Sequence, residues 1–312
     1  MELQGVYNQL GILFLTILLG YVLAKVKIIP PAATQVFSKF VLTIALPALI
    51  LSGMRVSFTT ERLHTALFVF LLTIPCYGLA FLVGKLTAKI LTKDRTREAI
   101  FNFGIVFANT GFLGFPIFQA LYGKEAIFYA AIYNIMFNLL LYTLGIKIMN
   151  ANKTGHPTRL NLKKIINPGV GASIIGFILF ITAVPLPEFM TGTIDAIGNT
   201  CVPLSMLTIG ATLSELPLQR MFSDIGIYIL SVVRLLVMPL LTLVMVKFIF
   251  QIDQMWLIAI PVIMAGMPIA TNTVLMAIEY KNDARLASQT VLISTLLSCL
   301  SIPLLILVLS HF

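Results

Sequence analysis

Ten apolar runs, each long enough to cross a hydrocarbon layer, dominate the chain and leave mostly short polar connections between them. They fall at about residues 5–24, 33–54, 63–91, 98–122, 125–149, 168–186, 190–212, 223–250, 254–278 and 284–309. About 20 apolar helical residues span a bilayer core of roughly 30 Å. In hydrocarbon every backbone N–H and C=O needs an internal partner, and a helix supplies them within one segment. The runs therefore predict an all-α polytopic membrane protein of ten transmembrane helices. Composition agrees: 59% hydrophobic and 11% charged residues with mean hydropathy +1.00 cannot cover a water-facing surface, which ordinarily takes about 25% charged residues. The first run lacks a basic leading segment and an Ala-x-Ala-like site, so it reads as a first span.

The net charge of +9 reads through the loops and not as a nucleic-acid surface. Loops 1–2, 3–4, 5–6, 7–8 and 9–10 share one side and hold Lys25, Lys27, Lys89, Lys93, Arg95, Arg97, Lys153, Arg159, Lys163, Lys164, Arg220, Lys281 and Arg285. Lys85 and Lys147 lie near span ends on that side, whereas the other side has only Arg55, Arg62, Lys124 and Lys247. Excess Lys and Arg mark the cytoplasmic face, so both termini are expected outside the cytoplasm, in a cell membrane. Cys76, Cys201 and Cys299 sit in apolar runs without metal-ligand spacing, and His64, His156 and His311 are far apart. Neither a disulfide nor a zinc site is expected.

Two runs are interrupted. Phe107–Gln119, FANTGFLGFPIFQ, carries Asn109, Thr110, Gly111, Gly114 and Pro116 within eight positions. Gly and Pro weaken a helix, and a buried amide needs a partner. The stretch reads as a broken span near the midplane; a kinked helix with small residues at a helix contact is the alternative. The basic segment at 150–167 divides the chain into 1–149 and 168–312, each with five runs. Matching Ala126 to Ala284 gives an offset of 284 − 126 = 158, and Pro47 to Pro203 gives 203 − 47 = 156. An odd number of spans per repeat inverts the second copy, so two inverted five-helix repeats are expected. Adding 158 to 109 lands on Met267, inside Ala265–Thr273, which holds Gly266, Pro268, Thr271, Asn272 and Thr273. Paired interruptions in equivalent spans point to a transport site at the repeat interface.

The breaks alone leave the sign of the cargo open. Half-helix N-termini favour anions and C-termini favour cations. Arg234 lies about ten residues into the eighth run, roughly 15 Å along it and near the midplane. It reads either as a permanent positive charge that supports an anion or as a structural guanidinium held by half-helix carbonyls. Lys39 is placed to snorkel towards the cytoplasmic face. Asp195 and Asp224 sit near span ends, and spans 3, 4, 5, 9 and 10 carry no mid-membrane carboxylate, which argues against a carboxylate proton relay. Asn134 and Asn138 share a face at i, i+4 and either line the site or bond between helices. Ser294, Ser298 and Ser301 read as small-residue packing.

The motif Asn109-Thr110, Leu113, Gly114, Pro116, Ala120 and Tyr122-Gly123 resembles that of the auxin efflux carrier family, which includes plant auxin carriers and bacterial malate and malonate permeases. Arg234 with Pro239, Pro268 with Glu279-Tyr280, and Pro47 and Pro303 extend the resemblance over the chain, and the short central loop resembles the bacterial branch. The resemblance implies a fold similar to sodium/proton antiporters and bile-acid symporters, with spans 4 and 9 crossing at their breaks. It also implies a transport domain of spans 3–5 and 8–10, a scaffold of spans 1, 2, 6 and 7 that forms a homodimer face, and elevator-type alternating access. The run FVFLLTIPCYGL lacks the acidic residue of the plant members, and Thr273 stands where they have a second proline.

The residues singled out for substrate contact are Asn109, Thr110, Gly111, Met267, Asn272, Asn134 and Asn138. Gly114, Pro116, Gly266 and Pro268 are expected at the crossover, with Arg234 as electrostatic support. The function expected is secondary transport of small carboxylates such as malate, malonate or auxin-like acids. A sodium- or proton-coupled carrier of the same fold, a sensor or a channel are the alternatives. No GxxxxGK[ST], HExxH or GxSxG motif is present, so neither ATP hydrolysis nor an enzyme is expected, and no cofactor.

Overall fold

Each of the ten apolar runs folds as helix, and two of them fold as a pair of short helices around a gap. A computed structural model describes residues 3–151, 167–214, 224–252 and 254–310. The helices are α1 (Leu3–Lys25), α2 (Pro31–Met54), α3 (Thr60–Leu91), α4 (Arg95–Val106), α5 (Phe115–Tyr122) and α6 (Ala126–Asn150). After the central segment come α7 (Pro168–Thr182), α8 (Glu188–Ser214), α9 (Ile225–Ile249), α10 (Met255–Ala265), α11 (Asn272–Glu279) and α12 (Ala284–Ser310). Six of these, α2, α3, α6, α8, α9 and α12, are long and apolar enough to cross a membrane. No strand occurs among the described residues beyond one isolated bridge. The polytopic, all-helical class expected from the apolar runs is therefore present. Most of the expected linker, with Lys153, Arg159, Lys163 and Lys164, lies outside the described residues, as does Arg220.

Prolines shape two of the long helices and the entry to α5. Turns with i→i+5 hydrogen bonding occupy Val41–Ala45, Thr110–Gly114 and Val233–Val237, each ending two residues before a proline: Pro47, Pro116 and Pro239. A proline has no N–H to donate, and its ring clashes with the carbonyl four residues earlier. Widening the preceding turn relieves that clash without ending the helix. Exposed apolar side chains run along α3 at Leu67, Leu71, Ile74, Leu82, Leu86 and Ile90, a helical stripe of the kind that faces lipid.

The chain divides into two compact units. The first comprises Met1–Phe70, Gly111–Ile135 and Ile166–Leu216, and the second Leu71–Thr110, Met136–Ile165 and Pro217–Phe312. The first holds α1, α2, α5, α7 and α8; the second holds α4 and α9–α12; α3 and α6 contribute to both. Within the first unit, α1 and α8 meet backbone to backbone. A Cβ on Gly210 would lie 1.9 Å from the Ile17 carbonyl oxygen, and one on Gly20 would lie 2.3 Å from that of Leu207. Small residues let membrane helices approach this closely when hydrophobic burial gives no net drive. Nearer the start of α8, Asp195 accepts hydrogen bonds from Ser52 and Arg55 at the end of α2, with Lys124 Nζ 3.7 Å away.

Gly210→Val is expected to force α1 and α8 apart and lower the thermal unfolding midpoint in detergent, because the clashing atoms are backbone. The cost is about 1–3 kcal/mol or more. Gly78→Ala in α3, where nothing lies within 4 Å, is expected to leave the midpoint unchanged.

Candidate functional site

The second unit contains both helix breaks that cross. α4 stops at Val106, and Phe107 takes an extended conformation (φ −108°, ψ 111°). α10 stops at Ala265, capped by Gly266. Pro268 cannot donate to a helix and pushes Met267 out of helical geometry. The two gaps, 107–109 and 266–271, run antiparallel and pair across Ala108 and Ile269. Asn109 N–H donates to the Pro268 carbonyl at 2.7 Å, and Ala270 N–H donates to the Phe107 carbonyl at 3.0 Å. Ile269 N–H donates to Ser294 Oγ of α12 at 3.1 Å. Backbone polar groups that lost helical partners are thus satisfied by the opposite break and by one serine. The Phe107 ring locks the first gap against Phe103 (4.5 Å between centroids) and Phe137 of α6 (5.7 Å, edge-on).

Arg234 of α9 is 2% exposed and reaches both breaks. Its Nε donates to the Met267 carbonyl at 3.0 Å, Nη1 to that of Ile105 at 2.6 Å and Nη2 to that of Met264 at 3.4 Å. Ile105 lies in the last turn of α4 and Met264 in the last turn of α10; Met267 follows the cap of α10. These carbonyls belong to the negative ends of two helix dipoles. One guanidinium thus closes both C-terminal ends at the crossover. The helical segments that leave the breaks begin at Thr110 and at Asn272.

Of the residues singled out from the sequence, the second unit holds Asn109, Thr110, Asn138, Gly266, Met267, Pro268, Asn272 and Arg234. Asn109, Thr110, Met267, Pro268 and Arg234 are all buried at or beside the crossed breaks, whereas Asn272 is half-buried at the start of α11. Asn138 is buried on α6. The first unit holds Gly111, Gly114, Pro116 and Asn134. Gly111 and Gly114 belong to the wide turn before α5, and Pro116 is in the first turn of α5. Ser294 differs from its reading as simple packing: its hydroxyl accepts from the second break. A serine on an apolar helix gives no sequence signal for that role. Ile105 and Phe107, which act through carbonyls, were equally invisible.

Arg234→Ala is expected to leave three buried carbonyls without their donor and to cost about 3–5 kcal/mol, the scale for removing one partner of a buried charged interaction. Arg234→Lys keeps the charge but loses the planar fork, and is expected to fall between. Thermal unfolding of the purified variants measures both; an unchanged midpoint for Arg234→Ala would contradict this geometry.

The sequence profile described as "Membrane transport protein" matches residues 6–159 and 157–306. An "uncharacterized transporter" of Methanothermobacter thermautotrophicus is 27% identical over 293 residues, covering 92% of this chain and 93% of that one. A protein of Rhizobium meliloti, provisionally named a malonate transporter, is 26% identical over 296 residues, covering 90% of this chain and 89% of that one. A further "uncharacterized transporter", from Methanocaldococcus jannaschii, is 24% identical over 307 residues, covering 94% and 95%. The resemblance read from the Asn109–Gly123 motif is borne out: with its helices, its interrupted spans and a family match over nearly its whole length, the chain belongs to the membrane transport protein family of auxin efflux carriers.

Proposed function

We propose that this membrane transporter carries small organic anions of the carboxylate class by alternating access around the crossed breaks. The observation that carries the reading is Arg234, whose three hydrogen bonds occupy the C-terminal ends of α4 and α10. With both negative ends taken by a guanidinium, the ends left for a cargo are the N-terminal ones, at Thr110 and Asn272. Their positive dipole ends suit a carboxylate. A cation would meet a fixed positive charge where the carbonyls would otherwise have served it. Asn109, Thr110, Gly111, Met267 and Asn272 are the substrate contacts in this reading, with Asn134 and Asn138 lining the approach. The provisional assignment of malonate to the Rhizobium relative agrees with this class of cargo.

The same reading takes the two halves of the chain as inverted repeats. The reciprocal bonds around Ala108 and Ile269 have the local two-fold character of such a pair, and opposed residues differ by 269 − 108 = 161, close to the 158 of the sequence anchors. Spans 3–5 and 8–10 would move as the transport domain against a dimeric scaffold of spans 1, 2, 6 and 7, with sodium or a proton as the coupling ion where transport is not passive.

Asn109→Ala is expected to reduce carboxylate uptake into proteoliposomes at least tenfold while the protein still inserts and remains monodisperse, since a buried amide lost from a polar site typically costs more than about 1.4 kcal/mol. Wild-type flux by this variant would sink the assignment of the site. Accelerated exchange against an internal carboxylate separates a carrier from a pore.

A further inference from the structure

Apart from the crossed breaks, the second unit has a cavity of about 490 Å³ where three helices present one face each. From α3 come Phe81, Lys85 and Lys89, and from α4 come Arg95, Glu98, Ala99 and Asn102. From α6 come Leu144, Lys147 and Ile148, with Ala151 just beyond its end. The spacings are i, i+4, i+8 on α3 and i, i+3, i+4, i+7 on α4, so each set is a single helical stripe. Four cations and one carboxylate give the lining a net charge of 4 − 1 = +3. None of the four cations forms an ion pair among the described residues. Lys and Arg at a loop boundary are ordinarily a solvated topology signal, and by themselves they would carry nothing.

Asn102 is what distinguishes this place from such a rim. It lines the cavity, is 9% exposed, and its Oδ1 is buried with no hydrogen-bond partner. That oxygen is pressed against Gly84 of α3, where a Cβ would lie only 2.6 Å from it. The other arm of the amide, the Nδ2 donor, is then the one left for the cavity. The donor arm of this buried amide is a polar floor beneath a ring of cations, able to give a hydrogen bond to an acceptor in the cavity. The rest of the lining, Phe81, Ala99, Leu144 and Ile148, is apolar. A small inorganic anion would use the cations but not that apolar lining.

We propose that this cavity binds a phosphate group carried on an organic scaffold, the ammonium and guanidinium groups taking the phosphate oxygens, Asn102 bonding at the floor and the apolar lining covering carbon. Two sources share this chemistry: the headgroup of an anionic phospholipid at the cytoplasmic leaflet and a free phosphate ester. Basic recesses between membrane helices on that side are suited to headgroups. The site bears on transport through α4, because Asn102 stands one turn before Ile105, whose carbonyl holds Arg234. A phosphate seated on α4 would favour one arrangement of the crossover and so tune flux without being the cargo.

The test compares three proteins in nanodiscs: wild type, Lys85→Gln/Lys147→Gln in the cavity, and Lys25→Gln/Lys27→Gln, which removes equal charge at another basic loop. One arm replaces phosphatidylcholine with phosphatidylglycerol; the other keeps phosphatidylcholine and titrates glycerol 3-phosphate. The readouts are the thermal unfolding midpoint and the phospholipid or phosphate retained per protein. Wild type and the loop variant are expected to gain several degrees, whereas the cavity variant binds about 30-fold more weakly, at about tenfold or less per lysine. A response only to phosphatidylglycerol assigns the site to a lipid headgroup, and a response to both ligands assigns it to phosphate esters generally. If neither ligand shifts wild type, or if the loop variant loses as much as the cavity variant, the proposal is overturned. Arg95→Gln replaces the double variant should the latter not fold.

Discussion

A single guanidinium holds the interior of this protein together. Two helices stop in the apolar interior at Val106 and Ala265, and each stop concentrates about half a negative charge on its last carbonyls. Two such ends sum to roughly one negative charge, which matches the positive charge of Arg234. Either partner alone would be hard to bury: free carbonyl ends lack donors, and a lone guanidinium in a low-dielectric interior costs several kcal/mol. Together they satisfy one another through three hydrogen bonds. The reciprocal bonds of Asn109 with Pro268 and of Ala270 with Phe107 then fix the register of the gaps, and Ser294 ties the second gap to α12. Removing Arg234 would therefore disturb the geometry of everything built on the gaps.

The electrostatic consequence follows from the same bonds. A broken helix offers opposite charge at its two loose ends, so a pair of breaks is ambivalent between anion and cation. In the proposed reading Arg234 removes the ambivalence by occupying the two negative ends. What remains is a pair of helix starts, at Thr110 and Asn272, next to side chains able to donate. A protein built this way needs no mid-membrane carboxylate to neutralise its arginine, and the spans that carry the breaks have none. Membrane interiors tolerate a permanent charge where oriented dipoles compensate it, and here those dipoles belong to the backbone.

The helices and the position of both interruptions were legible in the sequence because they depend on local chemistry. Apolar runs must be helical in lipid, and Gly266 and Pro268 stand in the second gap, whereas Gly114 and Pro116 lie in helical turns just beyond the first gap, 107–109. The pairing was less legible. Loop anchors give an offset of 158 and so match Asn109 with Met267, but the residues opposed where the gaps pair, Ala108 and Ile269, differ by 269 − 108 = 161. Anchors in loops absorb insertions that the crossing backbone does not. Arg234 was visible as a charge at depth, and half-helix carbonyls were one of its two expected roles, yet which carbonyls was not, because the shortest of its bonds reaches Ile105, 129 residues away in the chain, through a group that every residue type carries. Asn102 passed unremarked for a related reason: an amide inside an apolar run becomes informative only when its neighbours, here Gly84, Lys85 and Lys147, come from other helices. Side-chain identity shows what a site can do, whereas tertiary contact decides which of these possibilities is realised.

The most direct test of the account is the sign of the ligand. Purified wild-type protein and the Lys85→Gln/Lys147→Gln variant would be titrated in parallel with size-matched small carboxylates and amines at fixed ionic strength, so that a response of the basic cavity is recognised by its loss in the variant. The thermal unfolding midpoint is read at each concentration. The account predicts a saturable rise with at least one carboxylate of the malonate or malate class and none with the amines. A saturable rise with an amine or an alkali cation, and no response to any carboxylate, would contradict it.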